Sequence, residues 1–174
     1  TTSPYIEYKV MQLASKHVTV ILNGQGADEQ LAGYHNFFSI YFIELMKKGK
    51  LQTLFKELRQ YIKKHKSPIV ILYLLYYLAP KFLQSRLSQT RFPSISKSFT
   101  NQHKRKSNIL KALYNPKSLN ESLYQHFENK LEHSLKWSDL NSMNFSIESR
   151  VPFLDHNLVE ATLKSPANCK INNG

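Results

Sequence analysis

A chain of 174 residues has room for about one domain with a sizeable core, and 41% hydrophobic residues with ten Tyr and ten Phe exclude a disordered chain. Lys and Arg number 24 against 12 Asp and Glu, yet the excess is local: residues 58–120 hold thirteen bases and no acid, and everything else sums to 11 − 12 = −1. The single cysteine, Cys169, excludes an intramolecular disulfide framework and fits a reducing cytoplasm; no secretory signal opens the chain, and the longest apolar run, Ile69–Ala79, is about half of what a bilayer span needs, so no membrane partner is expected.

Ser3-Pro4 opens a first helix, Ser as N-cap and Pro in the first turn, with Ile6, Val10, Leu13 and Ala14 at helical spacing. Val18–Leu22 is an unbroken β-branched and aliphatic run, the pattern of a strand buried on both faces of a parallel sheet. Asn23 to Glu29 then makes a glycine turn into a helix carrying Leu31, Phe37, Phe38, Phe42, Leu45 and Met46, with Gly49 as its C-terminal cap. Leu51, Leu54, Phe55, Leu58, Tyr61 and Ile62 fall on one helical face, and Ser67-Pro68 restarts the chain into the apolar run, which reads as a buried helix. Periodicity fails from Gln84 to Ser107, which predicts a loop or mobile connector. Leu119, Leu123, Tyr124, Phe127 and Leu131 predict another helix, Asp139 to Glu148 a further one, and Asp155 caps a last helix through Leu163 beyond the break at Pro152. One strand among so many helices leaves its backbone groups unpaired, so its partner strands are expected outside this chain. The absence of an initial Met and the turn-like Asn172-Asn173-Gly174 make both ends read as cut.

Ligands of open α/β sheets sit at the carboxyl ends of the strands. Gly24 and Gly26 let the backbone approach such a ligand, and the helix that follows offers N–H groups to phosphate. Asp28 and Glu29 would repel a bare phosphate, a conflict that Mg²⁺ bridging carboxylate and phosphate resolves. The spacing Gly24-x-Gly26-x-x-Glu29 lacks the third glycine of the dinucleotide fingerprint, and no Gly-Lys-Ser/Thr follows, so neither a Rossmann nor a Walker site is present. On spacing alone, a turn whose glycines only shape the backbone and whose Asp28 only caps the helix fits equally well.

Val20-Ile-Leu-Asn-Gly-Gln-Gly-Ala-Asp-Glu-Gln-Leu-Ala-Gly-Tyr34 resembles the signature of the asparagine synthetase family. Asn141-Ser-Met-Asn-Phe-Ser-Ile-Glu-Ser-Arg-Val-Pro-Phe-Leu-Asp155 resembles the same family's downstream block, in the expected order. The resemblance implies an α/β fold, the helix-rich part of an ATP-pyrophosphatase-type (adenine nucleotide alpha hydrolase-like) domain. It also implies a chemistry: Mg-ATP adenylates the β-carboxylate of aspartate, releasing pyrophosphate, and ammonia derived from glutamine displaces AMP to give asparagine. By the same resemblance Asn23, Gly24, Gly26 and Asp28 contact the nucleotide, Gly24 to Ala27 line the acyl-adenylate, Asp28 holds Mg²⁺ and pyrophosphate, and Glu29 faces the same cleft. Glu148 and Arg150 match the family's Glu-x-Arg beside the substrate pocket, and a separation of two lets them pair in an extended segment; a purely structural ion pair fits as well. Gln25 stands where many members carry a Glu credited with handling ammonia protons, and an amide can only orient groups by hydrogen bonds. Asp139 also matches, but Leu140 replaces the usual Arg after it.

The implied layout is a partial synthetase domain: residues 1–50 carry the helix, strand, glycine turn and helix of the nucleotide part, 51–138 a helical basic segment, and 139–174 the second substrate-pocket motif. No Ser-Gly-Gly-x-Asp-Ser phosphate loop occurs in the chain, nor a lysine beyond Lys170-Ile171-Asn172-Asn173-Gly174, nor a glutaminase domain. The expectation is therefore an internal piece, inactive by itself, of a cytoplasmic enzyme that uses aspartate, ATP and glutamine-derived ammonia and forms a homodimer at full length. A β-lactam-type or other amidotransferase-like synthetase with a different carboxylate substrate would share fold and adenylation chemistry. A nucleic-acid-binding helical module is the other rival, prompted by residues 58–120; against it stand the amphipathic helices beside those bases and the lack of a reader motif. The seven His residues show no ligand spacing, so no structural zinc is expected, and His126 and His133 are expected on the surface of one helix.

Overall fold

A computed structural model describes residues 2–80, 83, 84, 98, 113 and 116–174. In chain order its elements are α1 (Ser3–Ala14), β1 (Val20–Leu22), α2 (Ala27–Leu31), α3 (His35–Lys47), α4 (Leu51–His65), α5 (Ile69–Leu78), α6 (Leu119–Met143), β2 (Glu148–Arg150), a 3-10 turn (Pro152–Leu154), α7 (His156–Lys164) and α8 (Ala167–Lys170). They gather into two compact units, one of Thr1–Tyr34 with Leu123–Lys170, the other of His35–Ser122 with Ile171–Gly174. The helix-rich content with a parallel sheet is that of an α/β chain.

In the first unit β1 pairs in parallel with β2, Val20 opposite Glu148, Ile21 opposite Ser149 and Leu22 opposite Arg150. The partner strand thus lies inside the chain, contrary to expectation. Glu148-Ser149-Arg150 has no apolar alternation to announce a strand; its extended shape comes from pairing with β1. Nor is β1 buried on both faces: Leu22 is 74% exposed and Val20 is exposed as well, with Ile21 between the extremes. Among the described residues the sheet has two strands, and so narrow a sheet cannot cover its own faces whatever their composition.

The N-terminal helix begins with Ser3 as its first helical residue, Thr2 rather than Ser3 holding the cap position without a side-chain bond. Asn141 donates from Nδ2 to the Pro4 carbonyl at 3.0 Å, and Ser138 Oγ donates to Glu7 at 2.6 Å, tying α1 to α6. Two helices were expected between Leu119 and Glu148, but α6 runs unbroken to Met143, because no Gly or Pro interrupts it. Its end is set by Ser146 in the left-handed region, φ +54°, with Ile147 N–H returning to the Ser142 carbonyl. His126 is 2% exposed and not a surface residue: Leu119, Ser122, Leu123 and His126 follow the i, i+3, i+4, i+7 pattern of a buried face. Past Phe127 the buried positions move to Leu131, Ser138 and Ser142, which leaves His133 exposed against Trp137, ring centroids 4.8 Å apart.

The long helix expected from Glu29 to Gly49 is two helices. Ala32 takes a left-handed φ of +60° and sends its N–H back to the Asp28 carbonyl, ending α2. Gly33 follows, packed so closely on Asp28 that a Cβ there would overlap Oδ1.

In the second unit α3 buries Phe37, Ile40, Tyr41, Phe42 and Leu45. Ser39 on α3 donates to the Val70 carbonyl on α5 at 3.0 Å. The apolar run is helical as expected, but it is buried through Val70 alone, and Leu72, Leu75 (60%) and Leu78 are exposed. Apolar composition on every side makes a helix without a polar face, and packing on one neighbour covers only one side of it. Tyr61 is fully buried, with its hydroxyl 2.6 Å from His35 Nδ1 and its ring 4.4 Å from that of His65. The connector expected from Gln84 to Ser107 lies outside the described residues, apart from Gln84 and Ser98, as do eight of the thirteen bases of residues 58–120. No helix among the described residues is long and apolar enough to cross a membrane.

Candidate functional site

The carboxyl end of β1 is fixed by Asn23. Its N–H extends the ladder to the Arg150 carbonyl at 2.7 Å. Its side chain donates from Nδ2 to Ser138 Oγ at 2.6 Å, lies 3.5 Å from Ser149 Oγ, and accepts the Gln25 N–H on Oδ1 at 3.2 Å. Both ends of this amide are engaged in holding the turn, and Ser138 relays the tie to Glu7. The loop that follows is therefore shaped from beneath by side chains, with Gly24 exposed and Gly26 buried.

The two glycines of the turn do different work. Gly26 has φ +93°, and a Cβ there would overlap Leu154 Cδ2, so both the backbone angle and the approach of the 3-10 turn demand glycine. Gly24 is exposed, has no positive φ, and a Cβ on it would meet nothing within 4 Å. The protein's own packing does not explain the glycine at 24. It leaves bare backbone over open space.

Asp28 and Glu29, adjacent in sequence, part company in space. Asp28 is exposed in the first turn of α2. Glu29 is 5% exposed and accepts the Tyr34 hydroxyl at 2.8 Å. Burial, that hydrogen bond, and the charges of Glu29 and then Asp28 push the Tyr34 phenol far above its ordinary range. Gln25 is half-buried beside the turn.

The downstream motif meets the turn through β2. Glu148 and Arg150 sit two apart on an extended strand, and Arg150 Nε donates to Glu148 Oε1 at 2.8 Å. The pair expected from their spacing is formed, and both members stay open to solvent. The hydrogen bond from Glu148, then its charge, raises the Arg150 pKa further. Beyond Pro152, Asp155 Oδ1 accepts the N–H groups of Asn157 at 3.0 Å and Leu158 at 3.2 Å, the helix cap read from sequence. Asp139 and Leu140 are exposed on α6.

One residue joining the motifs escaped the sequence reading. Gln30, 1% exposed, donates from Nε2 to the Gly26 carbonyl at 3.1 Å and the Phe153 carbonyl at 2.6 Å, and accepts the Thr162 hydroxyl on Oε1 at 2.7 Å. A glutamine in a short polar helix gives no sign of being buried. Ser138, Glu7 and Tyr34 were missed for the same reason, because each is defined by a partner distant in sequence or out of helical register.

Among the described residues no group of three or more His, Cys, Asp or Glu is placed to hold a metal ion. Asp28 is the exposed carboxylate of the turn and fits as a single ligand to a hard cation whose other ligands are water and phosphate oxygens. Comparison with known proteins adds one finding. The protein-family model described as asparagine synthase matches residues 1–174, the whole chain. No curated protein and no solved structure gives a significant match.

Proposed function

Because the chain belongs to the asparagine synthase family, we propose that the Asn23–Asp28 turn and the Glu148–Arg150 strand form one wall of a site that makes an amide through an acyl-adenylate. The carboxylate of an aspartate-type substrate attacks the α-phosphorus of ATP, the bond to the β-phosphate breaks, and pyrophosphate leaves. Ammonia then attacks the acyl carbon, AMP departs with the bonding pair, and the surplus proton passes to solvent. The observation that carries this reading is the meeting of the two motifs at one sheet end with bare backbone at Gly24 facing open space.

The residues divide the work by their chemistry. Gly24 to Ala27 admit the adenylate close to the main chain. Asp28 would hold Mg²⁺, which when bound offsets the charge that develops on the leaving pyrophosphate. Arg150, always charged and paired with Glu148, offers a planar donor to a carboxylate or phosphate. Gln25 orients a neighbour without moving a proton. Glu29 braces the turn through Tyr34 instead of reaching the ligand. Aspartate, ATP and ammonia, the last released from glutamine by a separate domain, are the substrates of this reading; the setting is a cytoplasmic, homodimeric enzyme.

Two assays test it. The 174-residue chain should bind a non-hydrolysable sulfamoyl analogue of aspartyl-adenylate, with Asp28→Asn weakening the Mg²⁺-dependent part, and should release no pyrophosphate from ATP and aspartate. Failure to bind the analogue refutes the site. Pyrophosphate release by the chain alone refutes the assignment of it as a part. Preference for an analogue built on another carboxylic acid would move the protein to the β-lactam-type branch of the same chemistry.

A further inference from the structure

The buried amide of Gln30 stands at the crossing of the two motifs, and nothing in the adenylation chemistry calls for it. We infer that Gln30 is a positioning residue: it sets the spacing between the glycine turn and the strand end that together receive the acyl-adenylate. This rests on the functional reading above and says which group holds its two halves in register.

A glutamine side chain has two N–H donors and one carbonyl acceptor. Both donors of Gln30 are used, one on the Gly26 carbonyl in its own turn and one on the Phe153 carbonyl, 123 positions away. The acceptor takes the Thr162 hydroxyl of α7, whose single hydrogen is shared with the Leu158 and Val159 carbonyls. The orientation of the amide is set by this arrangement: turning it over would press Oε1 against two carbonyl oxygens and leave Nε2 only the Thr162 hydroxyl oxygen as an acceptor. At 1% exposure no water can substitute.

The position of the bonds gives them leverage. Gly26 lies two residues beyond Gly24, where the backbone is open, and Phe153 lies three beyond Arg150. Gly26 and Leu154 already touch so closely that no Cβ fits between them. A single side chain thus fixes both the height of the turn and the path of the strand that carries the Glu148–Arg150 pair. Gln30 itself does not reach the open face.

Gln30→Glu separates this role from mere bulk. The variant is isosteric, but near neutral pH its carboxylate would face the Gly26 and Phe153 carbonyls with no hydrogen to donate; once protonated it regains one donor. Relative to wild type at the same pH, the affinity of Gln30→Glu for the aspartyl-adenylate sulfamoyl analogue should therefore fall about tenfold at pH 7.5, and that ratio should recover as the pH drops toward 5. The other titratable groups on the packed elements, Asp28, Glu29, Tyr34, Asp155, His156 and Glu160, are common to both proteins and cancel in that ratio. Gln30→Leu, which fills the space without a donor, should lose affinity at every pH. Wild-type binding matched by either variant at pH 7.5, or a loss in Gln30→Glu that acid does not reverse, overturns the role of Gln30 and leaves the functional reading intact. Absence of binding by the wild-type chain overturns that reading and this inference with it.

Discussion

Replacing Gly26 by alanine tests the joint between the two motifs. Two costs follow from the geometry. A residue with a Cβ at φ +93° pays roughly 1–2 kcal/mol for the left-handed region, and the new methyl overlaps Leu154 Cδ2, an overpacking of roughly 1–3 kcal/mol. Alanine returns about 0.4–1 kcal/mol by restricting the unfolded chain. The net loss should be about 1–4.5 kcal/mol, a sizeable part of the stability of an ordinary domain. Trp137 is the sole tryptophan and lies in the same unit as Gly26, so urea unfolding followed by its fluorescence reads the affected part directly. Leu154→Ala in the Gly26→Ala background should relieve the overlap but not the backbone strain, giving a coupling of about 1 kcal/mol or more in a double-mutant cycle. A Gly26→Ala protein within about 0.5 kcal/mol of wild type, or strictly additive mutations, would refute the claim that the 3-10 turn is seated on the glycine.

Other consequences are simpler to measure. Asp155→Ala removes the cap of α7 and should cost about 1 kcal/mol in the same urea titration; no change would count against the cap. Tyr34→Phe deprives the buried Glu29 carboxylate of its hydroxyl donor and should cost about 1–3 kcal/mol, and in wild type the ultraviolet titration of Tyr34 should begin well above the ordinary phenol range. His65 has its pKa lowered by burial first, then by His35 and Lys64, and its buried Nε2 has no hydrogen-bond partner among the described residues. The unfolded chain therefore binds this proton more tightly than the folded one, so the stability of the second unit should be full above the unfolded value of about 6.5 and fall as pH drops from there toward the depressed folded value; His65→Phe should flatten that slope. Glu148→Gln should leave the melting temperature almost unchanged, since the ion pair is exposed, while weakening binding of the acyl-adenylate analogue.

Local chemistry was readable in the sequence wherever a few neighbouring residues decide it. The β-branched run gave β1, Asp155 gave a helix cap, and a separation of two in an extended segment gave the Glu148–Arg150 pair. What depends on a distant partner was not readable. Glu148-Ser149-Arg150 is a strand only because β1 lies beside it. An apolar run is enough to predict the helix α5 but not what covers it, and Leu72, Leu75 and Leu78 remain exposed. His126 is buried because it shares a face with Leu119 and Leu123, whereas a heptad from His133 suggested one common surface. At the turn, Gly26 was legible as a glycine that the backbone requires, with its φ of +93°. The burial of Glu29 was not: the resemblance implied that it faces the same cleft as Asp28, whereas α2 buries Glu29 and exposes Asp28. Gln30 was silent, since a satisfied buried amide and a solvated one are the same letter.

If two motifs more than a hundred residues apart form one ligand site, amide chemical-shift mapping of the labelled chain will show it. Titration with the aspartyl-adenylate analogue and Mg²⁺ should move the resonances of Gly24 to Asp28 and of Glu148 to Arg150 together, with one binding constant. Shifts confined to one motif, differing constants for the two, or no saturable shifts in either would contradict it.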